Sequence, residues 1–258
     1  MKTRILSGLI MLPLLAVLYL GGPLLWAAGF IIAVLGVTEF YRGFEAMDIR
    51  PSRLVGWFSA LALYAIIILD MDKTFYFLWF FAVVAASLLY LFNIGERKLE
   101  DGMATILGIF YVVFFSSHIV LIDKSAKGAM VWTVILCAFG TDIFAYFTGY
   151  LLGKHKLCPG ISPKKTIEGA VGGILGSIVL CVIFWYLIFA ESIIHFIIIG
   201  FFGSIIAQFG DLTASVFKRK MGIKDYGNLI PGHGGILDRF DSVLFTAPFV
   251  YYYIALVM

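Results

Sequence analysis

The sequence predicts an all-α, polytopic membrane protein, and three observations support this fold class. Of the 258 residues, 62% are hydrophobic and 14% are charged, whereas soluble domains average about 45–50% apolar and about 25% charged residues. The apolar residues occur in runs of about 17 to 24, long enough to cross about 30 Å of hydrocarbon as helices. The basic residues fall almost entirely on one side once these runs alternate in direction.

We predict about nine transmembrane helices, each defined by one apolar run. In chain order the runs are 4–20, 23–41, 54–70, 75–93, 103–122, 129–152, 169–190, 192–214 and 236–258. The first follows Lys2 and Arg4, as in a secretion signal, but no small-residue cleavage site follows it. Because Gly21-Gly22-Pro23 leads directly into the second run, we expect the first run to remain as a mature helix.

The basic residues predict the orientation of these helices. With a cytoplasmic N-terminus and nine crossings, the C-terminus lies on the opposite side. Only Lys73, Lys124 and Lys127 of the 19 Lys and Arg residues then fall outside the cytoplasm, as the positive-inside rule requires. The resulting basic cytoplasmic face suits anionic headgroups or nucleotides, and we expect no nucleic-acid partner.

The connection between the sixth and seventh helices, Gly149 to Gly173, is long, basic and rich in Gly. It contains Ser162, Lys164, Lys165, Thr166 and Glu168 immediately before a helix. In one interpretation the lysines only hold the loop in the cytoplasm and Thr166 caps the helix. In the other, backbone N–H groups at the helix N-terminus bind phosphate oxygens together with Lys164 and Lys165. Close helix packing is a further role for Gly169, Gly172 and Gly173.

Acidic residues inside apolar helices point to a second feature, near the cytoplasmic ends of the last two helices. Asp211 ends the eighth run, and Asp238 and Asp241 lie in the first turns of the ninth, where Ser242 shares their face. An ionised Asp near the centre of a membrane helix costs about 2.5–3.5 kcal/mol, so such residues need partners.

Two kinds of partner fit these acids. Mg²⁺ takes oxygen ligands, which would make Asp211, Asp238 and Asp241 its ligands. The alternative is a salt bridge to Arg239 or Lys218. Three acids beside a basic, Gly-rich loop favour the metal. We expect Asp142, in the sixth helix, to line the same cavity, and we expect Glu39 to be interfacial or paired with a neighbouring Arg, outside the site.

Residues 215–241, SVFKRKMGIKDYGNLIPGHGGILDRFD, resemble the signature of phosphatidate cytidylyltransferases, also called CDP-diacylglycerol synthases. The matching positions are Ser215, Lys218, Arg219, Lys224, Asp225, Gly227, Pro231, His233, Gly234, Gly235, Asp238, Arg239 and Asp241. The segments ISPKKTIEG, 161–169, and DIFAYFTG, around Asp142, are also similar to the family. Ile167 and Tyr150 depart from its pattern, at positions away from the proposed metal ligands.

The resemblance implies transfer of the cytidylyl group of CTP to phosphatidic acid at the cytoplasmic face of a bacterial inner membrane. It further implies Mg²⁺ dependence, K⁺ as a candidate second cation, and a homodimer. The catalytic residues would be Asp211, Asp238, Asp241, Lys218, Arg219, His233 and Arg239. The substrate-binding residues would be Ser162, Lys164, Lys165, Thr166, Glu168, Ser215, Lys224, Asp225, Gly234, Gly235 and Asp142. We expect one integrated membrane domain, in which 1–128 form a scaffold with dimer contacts and 129–258 carry the site.

Two other functions fit parts of the same pattern. A CTP-dependent lipid-alcohol kinase also needs a basic cytoplasmic loop and a membrane metal site, but it releases CDP where a cytidylyltransferase releases pyrophosphate. An anion transporter also has intramembrane acids and Gly-broken helices, but its site lies near the midplane of inverted repeats. The sequence shows no clear internal repeat, which disfavours the transporter.

Overall fold

The computed structural model describes residues 13–188, 191–229 and 234–258, and these residues are mostly helical. The helices are α1 (13–20), α2 (Gly22–Glu45), α3 (Arg53–Ile68), α4 (Lys73–Leu89), α5 (Leu99–Gly108), α6 (Phe115–Lys124), α7 (Val131–Ile135), α8 (Thr141–Leu152), α9 (Ile167–Ile188), α10 (Ile193–Lys220) and α11 (Leu237–Val257). The π-helical segments Ile109–Phe114 and Leu136–Gly140 continue α5 into α6 and α7 into α8. The predicted all-α, polytopic class is confirmed.

Seven helical stretches in the described part of the chain are long and apolar enough to cross a membrane. They are Gly22–Glu45, Lys73–Phe92, Leu99–Lys124, Gly128–Leu152, Ile167–Ile188, Ile193–Lys220 and Leu237–Val257. The helix α3 is apolar but has only 16 residues. The predicted first span lies outside the described residues except for 13–20. The total of nine crossings and their sidedness therefore stay predictions.

Polar side chains fix where several of these helices begin. The Ser52 hydroxyl accepts a hydrogen bond from the Val55 N–H at 3.4 Å, and Asp72 accepts one from the Thr74 N–H at 2.8 Å. Asp101, in the first turn of α5, accepts one from the Lys98 N–H at 2.9 Å. Each bond satisfies a backbone donor that the first turn of a helix leaves without an intrahelical partner.

The chain divides into two compact units. The first comprises Met1–Leu121 and Lys220–Phe240, and the second comprises Ile122–Arg219 and Asp241–Met258. This division groups 220–240, which carry most of the family-like segment, with the N-terminal helices. The sequence does not indicate that grouping.

The core of the first unit is built around aromatic residues of α2. The Phe40 ring packs against Tyr111 and against Tyr226, with ring centroids 5.2 Å and 6.0 Å apart. The buried Tyr41 hydroxyl donates a hydrogen bond to the Thr105 carbonyl at 2.7 Å. Because Tyr226 belongs to 220–240, these contacts hold that segment onto α2.

The second unit depends on close packing of α8 against α9. A Cβ on Gly172 would lie 2.2 Å from Thr148 Oγ1, and a Cβ on Gly176 would lie 2.1 Å from Phe144 Cγ. At these separations only glycine lets the helices approach. The predicted packing role of the α9 glycines is confirmed, and it sets the position of the loop that joins the two helices.

Candidate functional site

The loop between α8 and α9 forms a two-stranded antiparallel hairpin that positions the predicted lysines. Its strands are β1 (Lys156–Cys158) and β2 (Ser162–Thr166), and Lys156 pairs with Thr166. The sequence predicts only a loop here, because the strands are short and lack alternating apolar and polar residues. Within β2, Lys164 is exposed and Lys165 is half-buried.

Two side chains fasten this hairpin to the start of α9. Thr166 Oγ1 accepts a hydrogen bond from the Gly169 N–H at 3.1 Å, so the predicted helix cap is confirmed. The Glu168 carboxylate accepts bonds from the backbone N–H groups of Lys154 and His155, and its Oε1 lies 2.6 Å from His155 Nδ1. Glu168 therefore has a structural role, while its contact with a substrate stays a prediction.

Lys165 interacts with three carboxylates, one by direct contact and two through their charge. Its ammonium forms an ion pair with Asp211 on α10. The negative charges of Asp142 on α8 and Asp241 on α11 also attract this ammonium electrostatically. Burial lowers the pKa of Lys165, and Asp142 and Asp241 oppose this by raising it. The sequence-based salt-bridge alternative for Asp211 is thus realised, but with Lys165 as the partner.

A cavity of about 470 Å³ opens beside this cluster. Its walls are mostly apolar and its polar groups come from α8, the hairpin and α10. The lining residues that carry polar side chains are Asp142, Tyr146, Tyr150, Lys156, Lys164, Lys165, Thr166 and Gln208. The volume is in the range of about 300–1,000 Å³ that is typical of ligand sites. The prediction that Asp142, Lys164, Lys165 and Thr166 share one site is consistent with this cavity.

The C-terminal end of α10 brings further basic residues to the hairpin. Arg219 Nε donates a hydrogen bond to the Ile161 carbonyl at 3.4 Å, and the Lys218 charge acts on Lys165. Ser215 lies half-buried one turn earlier on the same helix. A cationic end of α10 beside a cationic hairpin suits a ligand with several negative charges.

In the first unit, Asp238 anchors the segment that precedes α11. Its Oδ2 atom accepts hydrogen bonds from the backbone N–H groups of Tyr226 at 2.8 Å and Gly235 at 3.0 Å. Asp238 is 9% exposed, so these bonds satisfy a buried charge. Asp238 thus has a structural role in addition to the predicted metal-binding role.

Glu39 is the residue near this segment that the sequence does not assign to the site. Its carboxylate accepts hydrogen bonds from the N–H groups of Ile236 at 3.1 Å and Leu237 at 2.8 Å. Glu39 is 6% exposed, and although the charge of Arg42 also acts on it, its hydrogen-bond partners are these backbone groups and not the neighbouring Arg that is one of our two expectations. The sequence offers one signal, an acid inside an apolar helix, but its partners lie almost 200 residues away.

Three glycines of the family-like segment leave room for these two carboxylates. A Cβ on Gly227 or Gly235 would lie 2.5 Å or 2.4 Å from a Glu39 oxygen. A Cβ on Gly234 would lie 2.9 Å from Asp238 Oδ2, and Gly234 has a φ of 84°. Glycine is therefore required here by neighbouring side chains and, at 234, by the backbone. A direct contact of Gly234 and Gly235 with substrate stays a prediction.

The remaining predicted residues of this segment differ in their surroundings. Arg239 Nε is buried and has no hydrogen-bond acceptor among the described residues. Lys224 and Asp225 are exposed. His233 lies outside the described residues, as does Pro231. The buried Nε of Arg239 is the feature of this group that most directly suggests an anionic ligand.

The three predicted Mg²⁺ ligands are divided between the two units. Asp211 and Asp241 belong to the second unit, where both act on Lys165, and Asp238 belongs to the first. Within 13–188, 191–229 and 234–258, no group of three or more His, Cys, Asp and Glu side chains is arranged to hold a metal. Carboxylate oxygens nevertheless suit Mg²⁺, which commonly binds through one or two carboxylates plus substrate phosphates. The chemistry of these donors therefore fits Mg²⁺, and its binding here stays a prediction.

Comparison with known proteins matches this chain to one family along almost its whole length. The model of a family described as the cytidylyltransferase family matches residues 2–257. The phosphatidate cytidylyltransferase of Bacillus subtilis is 42% identical over 159 residues, which cover 61% of this chain and 59% of that protein. Those of a Synechocystis species and of Staphylococcus haemolyticus are each 32% identical, over 99% and 96% of this chain and over 97% and 96% of those proteins.

Proposed function

Because this chain belongs to the cytidylyltransferase family, we propose that it transfers the cytidylyl group of CTP to phosphatidic acid. The family makes the chain a nucleotidyltransferase. The products of the proposed reaction are CDP-diacylglycerol and pyrophosphate. Relatives named phosphatidate cytidylyltransferase that align over nearly their whole length support the lipid substrate.

The reaction forms a bond between a phosphate oxygen of phosphatidate and the α-phosphorus of CTP, and it breaks the bond to the β-phosphate, so that pyrophosphate leaves. A strong base is unnecessary, since the second pKa of a phosphomonoester is about 6 and the nucleophile is already largely deprotonated near neutral pH. The difficulty is electrostatic, because two polyanions must meet and the leaving group gains charge. The site must therefore supply cations.

The observation that carries the proposal is the cluster of Lys165 with Asp142, Asp211 and Asp241 beside the cavity. It combines a cation for phosphate with oxygen donors for a metal, both next to a space of ligand size. The basic groups that would contact phosphate are Lys164, Lys165, Lys218, Arg219, Lys224 and Arg239. Arg239 brings a buried Nε that lacks an acceptor among the described residues, and a phosphate oxygen would supply one.

Mg²⁺ is the proposed cofactor, with Asp211, Asp238 and Asp241 as its protein ligands. The assignment of Asp238 follows from the sequence, in which Asp238 and Asp241 lie three residues apart on one helix. When bound, the ion would neutralise phosphate charge and orient the two substrates. Asp211 also pairs with Lys165, so the same carboxylate would hold the ion and keep the Lys165 ammonium beside the cavity. K⁺ is the candidate for a second cation.

The proposed setting follows from the distribution of charge. The hairpin and the end of α10 are basic, so we place them on the cytoplasmic side of a bacterial inner membrane, with nine crossings and the N-terminus in the cytoplasm. CTP then arrives from water while the acyl chains of phosphatidate stay in lipid. A homodimer completes the proposal, and it rests on the family resemblance.

Product analysis of the purified protein in detergent tests this function. With CTP, phosphatidate and Mg²⁺, the protein should release pyrophosphate and form CDP-diacylglycerol in equal amounts. Release of CDP from CTP with a lipid alcohol as acceptor would instead identify a kinase. The absence of any product, combined with uptake of an anionic metabolite into proteoliposomes, would identify a transporter.

A further inference from the structure

The hairpin carries a lysine, Lys156, that the sequence does not assign to the site. Lys156 lines the same cavity as Lys164. Lys156 pairs with Thr166 across the hairpin, whose register shifts between Lys156 and Cys158, and Thr166 lines the cavity as well. Both lysines therefore border one cavity of ligand size.

Both ammonium groups are available for a ligand. Lys156 and Lys164 are exposed, and neither forms an ion pair with a carboxylate of the described residues. Lys165, by contrast, is paired with Asp211. The cavity therefore has two lysines whose charges no carboxylate of the described ranges neutralises.

Two tyrosines of α8 also line the cavity, and this helix exposes several apolar side chains. Tyr146 and Tyr150 of α8 stack with ring centroids 6.4 Å apart, and both line the cavity. On the same helix Ile143, Phe147 and Leu151 are exposed, as expected for side chains that contact lipid. Tyrosines near the end of a membrane helix typically lie at the boundary between lipid and water.

These features together describe a binding site for an amphiphile with an anionic head. We infer that Lys156 and Lys164 hold the phosphate of phosphatidic acid, and that Tyr146 and Tyr150 contact its glycerol and the first part of its acyl chains. A phosphomonoester carries up to two negative charges near neutral pH, so two ammonium groups match it better than they match the single charge of a phosphodiester lipid. The inference rests on the proposed function and names the substrate of this cavity.

Binding without turnover provides the first test, which uses full-length protein in detergent and dioctanoyl phosphatidic acid as the probe. Lys156→Gln should weaken binding about tenfold, which corresponds to loss of one hydrogen bond to a charged group. Lys156→Arg should retain most of the affinity. Lys154→Gln is the matched control, because Lys154 is exposed two residues earlier and does not line the cavity. Dioctanoyl phosphatidylglycerol, a diester, should bind wild-type protein more weakly than the monoester.

Kinetics then separates the lipid from the nucleotide. In mixed micelles, Lys156→Gln should raise the KM for phosphatidate about tenfold and leave the KM for CTP within about twofold of wild type. A raised KM for CTP with an unchanged KM for phosphatidate would assign the cavity to the nucleotide and overturn the inference. Unchanged binding and kinetics would also overturn it. A wild-type protein that forms no CDP-diacylglycerol would contradict the proposed function itself.

Discussion

The carboxylate of Glu39 accepts a hydrogen bond from the backbone N–H of Leu237 at 2.8 Å, across 198 positions of the sequence. Through this bond and the bond from Ile236, a side chain of α2 supplies acceptors to the first turn of α11. Asp238, which the sequence assigns to the metal site, lies in that same turn. The position of a proposed catalytic residue thus depends on an acid in the N-terminal helices.

Replacement of Glu39 should destabilise this arrangement. In Glu39→Gln one carboxylate oxygen becomes an NH₂ group, which cannot accept a bond from a backbone N–H. Leaving one buried donor unsatisfied costs about 1–3 kcal/mol. We expect a lower thermal unfolding temperature in detergent and a lower kcat. Glu45→Gln on the same helix is the control, since its partly exposed ion pair with Arg53 contributes at most about 1 kcal/mol. Equal effects of the two variants would contradict a special role for Glu39.

Replacement of Gly235 by alanine should disturb the hydrogen bonds that the Glu39 carboxylate accepts from Ile236 and Leu237. The added Cβ would lie 2.4 Å from Glu39 Oε2, so the carboxylate or the backbone must move. Overpacking of this kind costs about 1–3 kcal/mol. The matched control is Gly160→Ala in the hairpin turn, where a Cβ meets nothing within 4 Å and φ is not positive. A Gly235→Ala protein with wild-type unfolding temperature and activity would show that the contact is not tight.

The cap of α9 provides a prediction in the second unit. Thr166→Val keeps the shape of the side chain but removes the oxygen that accepts the Gly169 N–H. We expect a loss of about 0.5–2 kcal/mol of stability and a rise in the KM for substrate, because the hairpin lysines are held by this cap. Thr166→Ser retains the hydroxyl and should restore most of both values. If Thr166→Ser is as damaging as Thr166→Val, the methyl group and not the cap is what matters.

Local sequence patterns predict much of this structure and fail where partners are distant. The spans follow from apolar runs, the Thr166 cap from its position before a helix, and the packing of α9 from Gly172 and neighbouring glycines. The acceptor role of Glu39 could not be predicted, because it depends on how α2 packs against a segment near residue 236. For the same reason the sequence offers Lys218 and Arg239 as salt-bridge partners of the acids, while Asp211 pairs with Lys165 of the hairpin.

The metal dependence of turnover tests the central claim most directly. Pyrophosphate release from CTP and phosphatidate should require Mg²⁺, stop on chelation with EDTA, and recover when Mg²⁺ is restored. Asp211→Asn should lower kcat at least about 100-fold and raise the Mg²⁺ concentration needed for half-maximal activity, since it removes a charged oxygen donor. Asp70→Asn, an exposed change between α3 and α4, should match wild type. Metal-dependent turnover at the wild-type rate in Asp211→Asn would contradict the account.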